Sequence, residues 1–260
     1  MLSQPLDILA IAAHRDDVEQ TCGGTLLKAA QRGQRTGILD LTQGEMGTRG
    51  TAEDRAREAA DAARILGAGW RRALDIPDGR VENTWENRLK VATVIRETRP
   101  RVVILPYWKG RHPDHYTASV LGYEASFLAG LSKLVLSSQP PALTQPSSDA
   151  ETGAEKRELA PYRPFKIIYA TLYYDVRPTF VVGISEQFEQ KFASILAYKS
   201  QFGDQDAGKD LFPAHDEIRA RVDSMARYYG MLGGVTYAEP FLQKEVGLVE
   251  DLLAIPVKSI

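Results

Sequence analysis

The sequence predicts an α/β protein built on a single Rossmann-like, doubly wound, mostly parallel sheet with helices on both faces. Two observations predict it. Strand-like apolar runs alternate with helix-like runs through the first half of the 260-residue chain, the pattern that builds a parallel sheet through helical crossovers. The histidines and acids then cluster just past two of those strand-like runs, where open α/β sheets bind ligands.

The elements follow in order. "LDILAIAA" (6–13) reads as a buried strand, and "GGTLLKAAQRG" (23–33) as a helix closed by glycine. "RTGILDLT" (35–42) is a second strand. "TAEDRAREAADAARILGAG" opens on a Thr51 cap and carries apolar residues at helical spacing. "TWENRLKVATVIRETRP" is another amphipathic helix, stopped by Pro100. "RVVILPY" (101–107) is a β-branched strand, and a helix begins near Tyr116. "SSQPPALTQPSSDAETGAEKRELAPYRP" (137–164), rich in Pro, Ser and charge, reads as a long, partly mobile surface excursion inside one domain. Strands resume at "FKIIYATLYY" and "TFVVGI". The helices "EQFEQKFASILAYKSQF" and "HDEIRARVDSMARYYGML" follow, then an irregular tail containing "GVTYAEPF".

Composition narrows the function. The net charge is −2 with both signs scattered, so nothing marks a nucleic-acid or membrane surface. No window approaches the ~20 apolar residues of a membrane span, and the opening residues carry no basic targeting signal. The single Cys22 excludes an internal disulfide and fits a reducing compartment; the expected location is the cytoplasm. Cys22 itself reads as a small packed residue.

Three of the four histidines lie in two short clusters: "HRDD" (14–17) after the first strand and "RHPDH" (111–115) after "RVVILPY". In the usual doubly wound order those two strands are neighbours, so the clusters face each other across one crevice. Together they offer His14, His112, His115, Asp16, Asp17 and Asp114. A catalytic zinc takes three nitrogen or oxygen ligands and leaves a fourth position to water. Two of the histidines and one aspartate make such a set, with the remaining groups free for proton work. Adjacent carboxylates seldom both reach one ion, and sequence chemistry alone does not separate Asp16 from Asp17. An Asp-Asp pair before a helix also serves as a cap; it is the pairing of two clusters that points to a metal. His215, opening a late helix, reads as structural. "TCGGTLL" lacks dinucleotide and P-loop spacing, so Gly23 and Gly24 serve a tight strand-to-helix entry.

At these residues the sequence resembles the PIG-L/LmbE-like zinc N-deacetylases, whose signature is A-H-[PA]-D-D-x-E followed later by H-P-D-H. "DLTQGEMGTRGTAEDRAREAADAARILG", "RPRVVILPYWKGRHPDHYTAS", "LAYKSQF" and "GVTYAEPF" are similar to the branch that deacetylates N-acetylglucosaminyl-malate in bacillithiol biosynthesis. The resemblance implies His14, Asp17 and His115 as zinc ligands and Asp16 as general base. It implies His112 as a positively charged partner of the oxyanion, oriented by Asp114. Glu45, Met46, Arg49, Arg55 and Arg111 become candidates for the substrate pocket, with arginine forks suited to the carboxylates of malate, and Tyr198 a candidate to approach the oxyanion. The resemblance further implies homo-oligomers, often hexamers. Arg15 departs from the pattern, standing where the family normally has proline. Arginine there loosens the turn between ligand and base and places a positive charge near the metal, which implies weaker metal binding, a shifted pKa of Asp16, or a side chain turned to solvent or to an anionic substrate.

Overall fold

The computed structural model describes residues 4–138, 157–172, 174–203 and 215–255. Five parallel strands come first: β1 (Ile8–Ala12), β2 (Thr36–Asp40), β3 (Trp70–Ala73), β4 (Val102–Pro106) and β5 (Lys166–Ala170). β6 (Phe180–Gly183) and β7 (Ala238–Leu242) complete a seven-stranded sheet in the order β3-β2-β1-β4-β5-β7-β6. Only the β5–β7 and β6–β7 pairings are antiparallel. The predicted doubly wound sheet is therefore present, and the direction of winding reverses between β1 and β4.

Alternation along the central strands buries both faces. Leu9, Ile11, Leu39, Val103 and Leu105 point to one side. There they pack under α4 (Trp85–Thr98) and α5 (Pro113–Ala129), through residues such as Val91, Ile95 and Leu121. Ala10, Ala12, Ile38 and Ile104 point to the other side. Val18 of α1 (Asp17–Thr21) and Leu26 and Leu27 of α2 (Gly23–Gln31) cover them. α6 (Phe188–Leu196) packs against α1 and α2 and against α3 (Ala52–Ile65), which lies beside β3; the short α7 (Lys199–Phe202) joins α3 and α6, and the long α8 (His215–Leu232) packs on β6 and β7. Thr51 caps α3 as expected, closing a reciprocal capping box with Asp54.

Two strands lie outside the sequence expectation. β3 is a half-buried edge strand carrying Arg71 and Arg72, so it lacks an apolar run. β7 holds Glu239 and Pro240 yet is largely buried between β5 and β6; the Glu239 carboxylate is neutralised by Lys191, 2.5 Å away. Of the 137–164 excursion, residues 139–156 fall outside the described residues. Its two ends meet in an antiparallel bridge, Ser137 to Glu158.

Candidate active site

β1 and β4 end side by side at the winding reversal, and the chain leaves each through one histidine cluster. His14 follows β1 directly. Asp16 then adopts φ 136°, a conformation that a side chain strains, before Asp17 opens α1. Strain of this kind costs about 1–3 kcal/mol and persists only when neighbours hold it. Arg55 of α3 is the neighbour: its Nη2 donates to the Arg15 carbonyl at 2.6 Å and to Asp16 Oδ1 at 3.3 Å. Past β4, His112 is the N-cap of α5, accepting the Asp114 N–H through Nδ1 at 3.2 Å. Pro113 supplies the preset first helical turn. One helical turn therefore presents His112, Asp114 and His115 together.

The clusters meet. His14 Nδ1 lies 3.2 Å from His115 Nε2, His115 Nε2 3.2 Å from Asp17 Oδ1, and His14 Nδ1 3.5 Å from Asp17 Oδ2. Three tetrahedral ligands held about 2.0–2.1 Å from a zinc ion stand about 3.3–3.4 Å apart. The donor set and its spacing fit such an ion. On the far side of the ring, His14 Nε2 faces Asp114 Oδ2 at 3.2 Å and Asp78 Oδ1 at 3.1 Å. Carboxylates in that position fix the tautomer and orientation of a metal-binding imidazole. Asp114 is itself fixed by the N–H groups of Gly79 (2.8 Å) and Val81 (3.1 Å).

The electrostatics follow the geometry. Burial opposes charge on His14, but Asp114, Asp17 and Asp78 outweigh it and push the imidazolium up to about 12. Burial also works against the Asp17 anion, yet His115 and His14 hold its carboxyl well below the usual range. Asp16 behaves oppositely: burial pushes it up to about 7, with Asp17 adding to the shift and Arg55 restraining it. Burial and the neighbouring His14 and His115 push His112 down.

A solvent-open cleft runs beside these groups, walled by Asp17, Val18, Thr21, Tyr107 and His115. Cys22 lines its floor, buried, with its thiol pushed up by burial.

A family model described as PIG-L, GlcNAc-PI de-N-acetylase, matches residues 9–126. The diacetylchitobiose deacetylase of Thermococcus kodakarensis is 32% identical over 243 residues, covering 89% of this chain and 80% of that protein. The chain belongs to the PIG-L family. PIG-L proteins are hydrolytic N-deacetylases, and this chain shares their enzyme class. Among solved structures, a conserved protein of Thermus thermophilus superposes with a TM-score of 0.78 at 40% identity, covering 94% of this chain and 98% of that one. The N,N'-diacetylchitobiose deacetylase of Pyrococcus horikoshii gives 0.72 at 25%, covering 90% and 82%.

The geometry places the residues drawn from the PIG-L resemblance as follows. Asp114 does not orient His112 with its carboxylate; that carboxylate turns to His14, and its backbone N–H meets His112. Burial, with His14 and His115 adding to it, lowers the affinity of His112 for a proton, and its Nδ1 is taken by the Asp114 N–H. With Nδ1 accepting a hydrogen bond, the neutral ring carries its proton on Nε2. Arg55 is 5% exposed and holds the Asp16 turn through Nη2, while its Nε is buried without a hydrogen-bond partner among the described residues. Gly44, at φ +73°, lets the loop wrap it: a Cβ there would lie 3.0 Å from its Nε. Arg49 is equally buried, donating to the Gln201 carbonyl. Tyr198 is wholly buried and donates to Glu19 at 3.1 Å, behind the site. Arg15 points neither to solvent nor to substrate; it is buried and donates to the Ala52 carbonyl at 2.7 Å. Glu45, Met46 and Arg111 are exposed. Sequence reasoning missed Asp78, whose sole signal was an Asp-Gly turn after an unrecognised strand.

Proposed function

We propose that the chain is a zinc-dependent amidohydrolase that removes acetyl from an N-acetylglucosamine conjugate, with N-acetylglucosaminyl-malate as its substrate. One observation carries the reading: His14, Asp17 and His115 converge at ligand spacing, with the raised carboxyl of Asp16 on the same turn. The donor set suits zinc and accepts other divalent ions. A bound ion supplies Lewis acidity to the acetamide carbonyl and lowers the pKa of its water toward ~7.

Asp16 takes the proton of the attacking water and later returns it to the departing amine. Its position near neutrality suits both directions of transfer. His112 donates its Nε2–H to the carbonyl oxygen as negative charge develops there. Arg55 holds the Asp16 turn, and Asp114 holds the His14 ring. The products are acetate and the free amino sugar.

The malate reading rests on the motif resemblance and on Arg111 and Lys109, exposed cations on the loop before α5. A second reading, a neutral chitooligosaccharide or an inositol conjugate, is favoured by the inward commitment of Arg49 and Arg55, which leaves fewer cations for an anionic aglycone. The partner in either case is a small molecule in the cytoplasm rather than nucleic acid or membrane; among the described residues no helix is long and apolar enough to cross a membrane. Assembly into a homo-oligomer, a hexamer by resemblance, is supported by exposed Tyr116, Val120, Tyr123 and Phe127, which share one face of α5.

The test is a substrate panel with the zinc-loaded protein, following amine release by fluorescamine and ranking by kcat/KM. The malate glycoside ranks first on the first reading and a chitooligosaccharide on the second. Release of no amine from any member, with His115→Ala as the blank, overturns both.

A further inference from the structure

The structure assigns Lys244 as a positioning residue that holds the loop between β4 and α5 by seating its ammonium in a cup of three aromatic rings. The consequence for catalysis rests on the active-site reading above; the contact itself does not. Residues 108–111 join the end of β4 to His112 and carry the exposed cations Lys109 and Arg111. The last backbone anchor before them is Tyr107, whose N–H donates to the Ala170 carbonyl at 2.8 Å. Beyond it, among the described residues, no hydrogen bond or ion pair reaches residues 108–111. The Trp108 ring holds them instead, half-buried, 4.4 Å from the Tyr107 ring and 4.8 Å from Tyr169, edge to face.

Lys244 closes this cluster from the tail that follows β7. Leu242, the last residue of β7, pairs with Tyr169 of β5 and packs in the same apolar cluster as Trp108. A side chain two positions further on emerges on the same side, and the Gln243 N–H fixes the exit by donating to Thr179 Oγ1 at 3.0 Å. Lys244 Nζ then lies 4.4 Å from the centre of the Tyr123 ring, 5.0 Å from Tyr169 and 5.2 Å from Trp108. All three are within the ~6 Å over which a ring face attracts a cation. Among the described residues no carboxylate pairs with Lys244. Tyr169 Oη is buried without a hydrogen-bond partner among them, so that ring offers its face rather than its hydroxyl. The rings belong to β5, α5 and the loop, and only the loop lacks other anchors. Tyr107 and Lys109, on either side of Trp108, both wall the cleft. Loss of the ammonium should therefore loosen the cleft wall and weaken substrate binding. It should leave the chemical step alone, because His112 is fixed separately as the N-cap of α5.

The experiment uses the full chain and reads the loop directly. Trypsin cuts after Lys109 and Arg111, and mass spectrometry locates the first cut; kcat and KM are measured in parallel on the best substrate of the panel. Lys244→Met keeps the stem and removes the charge. It should speed cleavage of the loop and raise KM, each by ~2–5-fold, the range of one cation–ring contact, with kcat and melting temperature unchanged. Lys244→Arg, which keeps a cation able to lie on a ring, should restore both. Lys133→Met, at an exposed lysine in the turn after α5, should change neither. Wild-type cleavage or a wild-type KM in Lys244→Met overturns the role. So does a failure of arginine to restore them, since the contact would then not depend on charge. Cleavage spread along the chain, with a lower melting temperature, would show a general loss of structure and overturn it as well. If the wild-type chain releases no amine, the active-site reading fails, and the cleavage rates still decide whether Lys244 holds the loop.

Discussion

Arg55 Nη2 touches the Arg15 carbonyl and the Asp16 carboxylate at once, 2.6 Å and 3.3 Å away. It therefore holds the base in position and restrains its pKa, and the two effects separate in a pH profile. Asp16 acts as a base when ionised, so the rate is lost as pH falls through its pKa. Burial raises that pKa, as do Asp17 and Glu19; Arg55 and His14 lower it. Removing the guanidinium moves the acidic limb of kcat to higher pH. Arg55→Met should show that shift together with a ~10–100-fold lower plateau from the misplaced turn. Arg55→Lys, which keeps charge but not the two-pronged reach, should restore the limb more than the plateau. An unmoved limb in Arg55→Met would separate Asp16 from the base role.

Metal removal should abolish amine release reversibly. Chelation is expected to leave a folded protein that regains activity with one equivalent of Zn²⁺ per chain. A ligand at 100 times its Kd adds ~2.7 kcal/mol to stability, so reloading should also raise the melting temperature. Asp17→Asn and His115→Ala should lose both responses. Metal-independent amine release would contradict the site.

Arg15 replaces the stiffening of a proline with a tether. Its buried guanidinium donates to the Ala52 carbonyl at 2.7 Å, joining the catalytic turn to the start of α3, which also carries Arg55. Arg15→Ala removes a charged hydrogen bond, worth about 1.5–3 kcal/mol, and that loss should appear as a lower urea midpoint at constant slope. Activity should fall only several-fold, because Arg55 still holds the Arg15 carbonyl. A variant as stable as the wild type would show that the tether carries no load.

Much of this arrangement is legible in the chain. The β1 and β4 runs are long, apolar and bounded by chemistry-bearing residues, so their adjacency follows from the usual strand order and brings His14 and His115 together. β3 is not legible because two of its four residues are arginines on a sheet edge, and β7 because Glu239 and Pro240 interrupt a short apolar run that pairs only with the distant β5 and β6. Arg55 looks like a solvated helix face, since the loop that buries it is fixed by Gly44 rather than by any apolar run. Asp78 is hidden for another reason: its partner His14 lies 64 positions earlier in the sequence, and a turn aspartate before glycine needs no partner to justify it.

Glu239 and Lys191 form a buried pair whose members are not equivalent. Lys191 Nζ donates to Glu239 Oε1 at 2.5 Å and to the Gln20 carbonyl at 2.8 Å. Glu239 also accepts the Gly24 and Thr25 N–H groups and the Thr25 hydroxyl, which are the free donors at the start of α2. Lys191→Met leaves the carboxylate with those three donors and should cost about 1–3 kcal/mol. Glu239→Leu leaves a buried ammonium and two backbone donors without their carboxylate, and should cost about 3–5 kcal/mol. Chemical denaturation of both variants checks the order. A Lys191→Met variant less stable than Glu239→Leu would mean that the ion pair, rather than the helix terminus, is what Glu239 is there to satisfy.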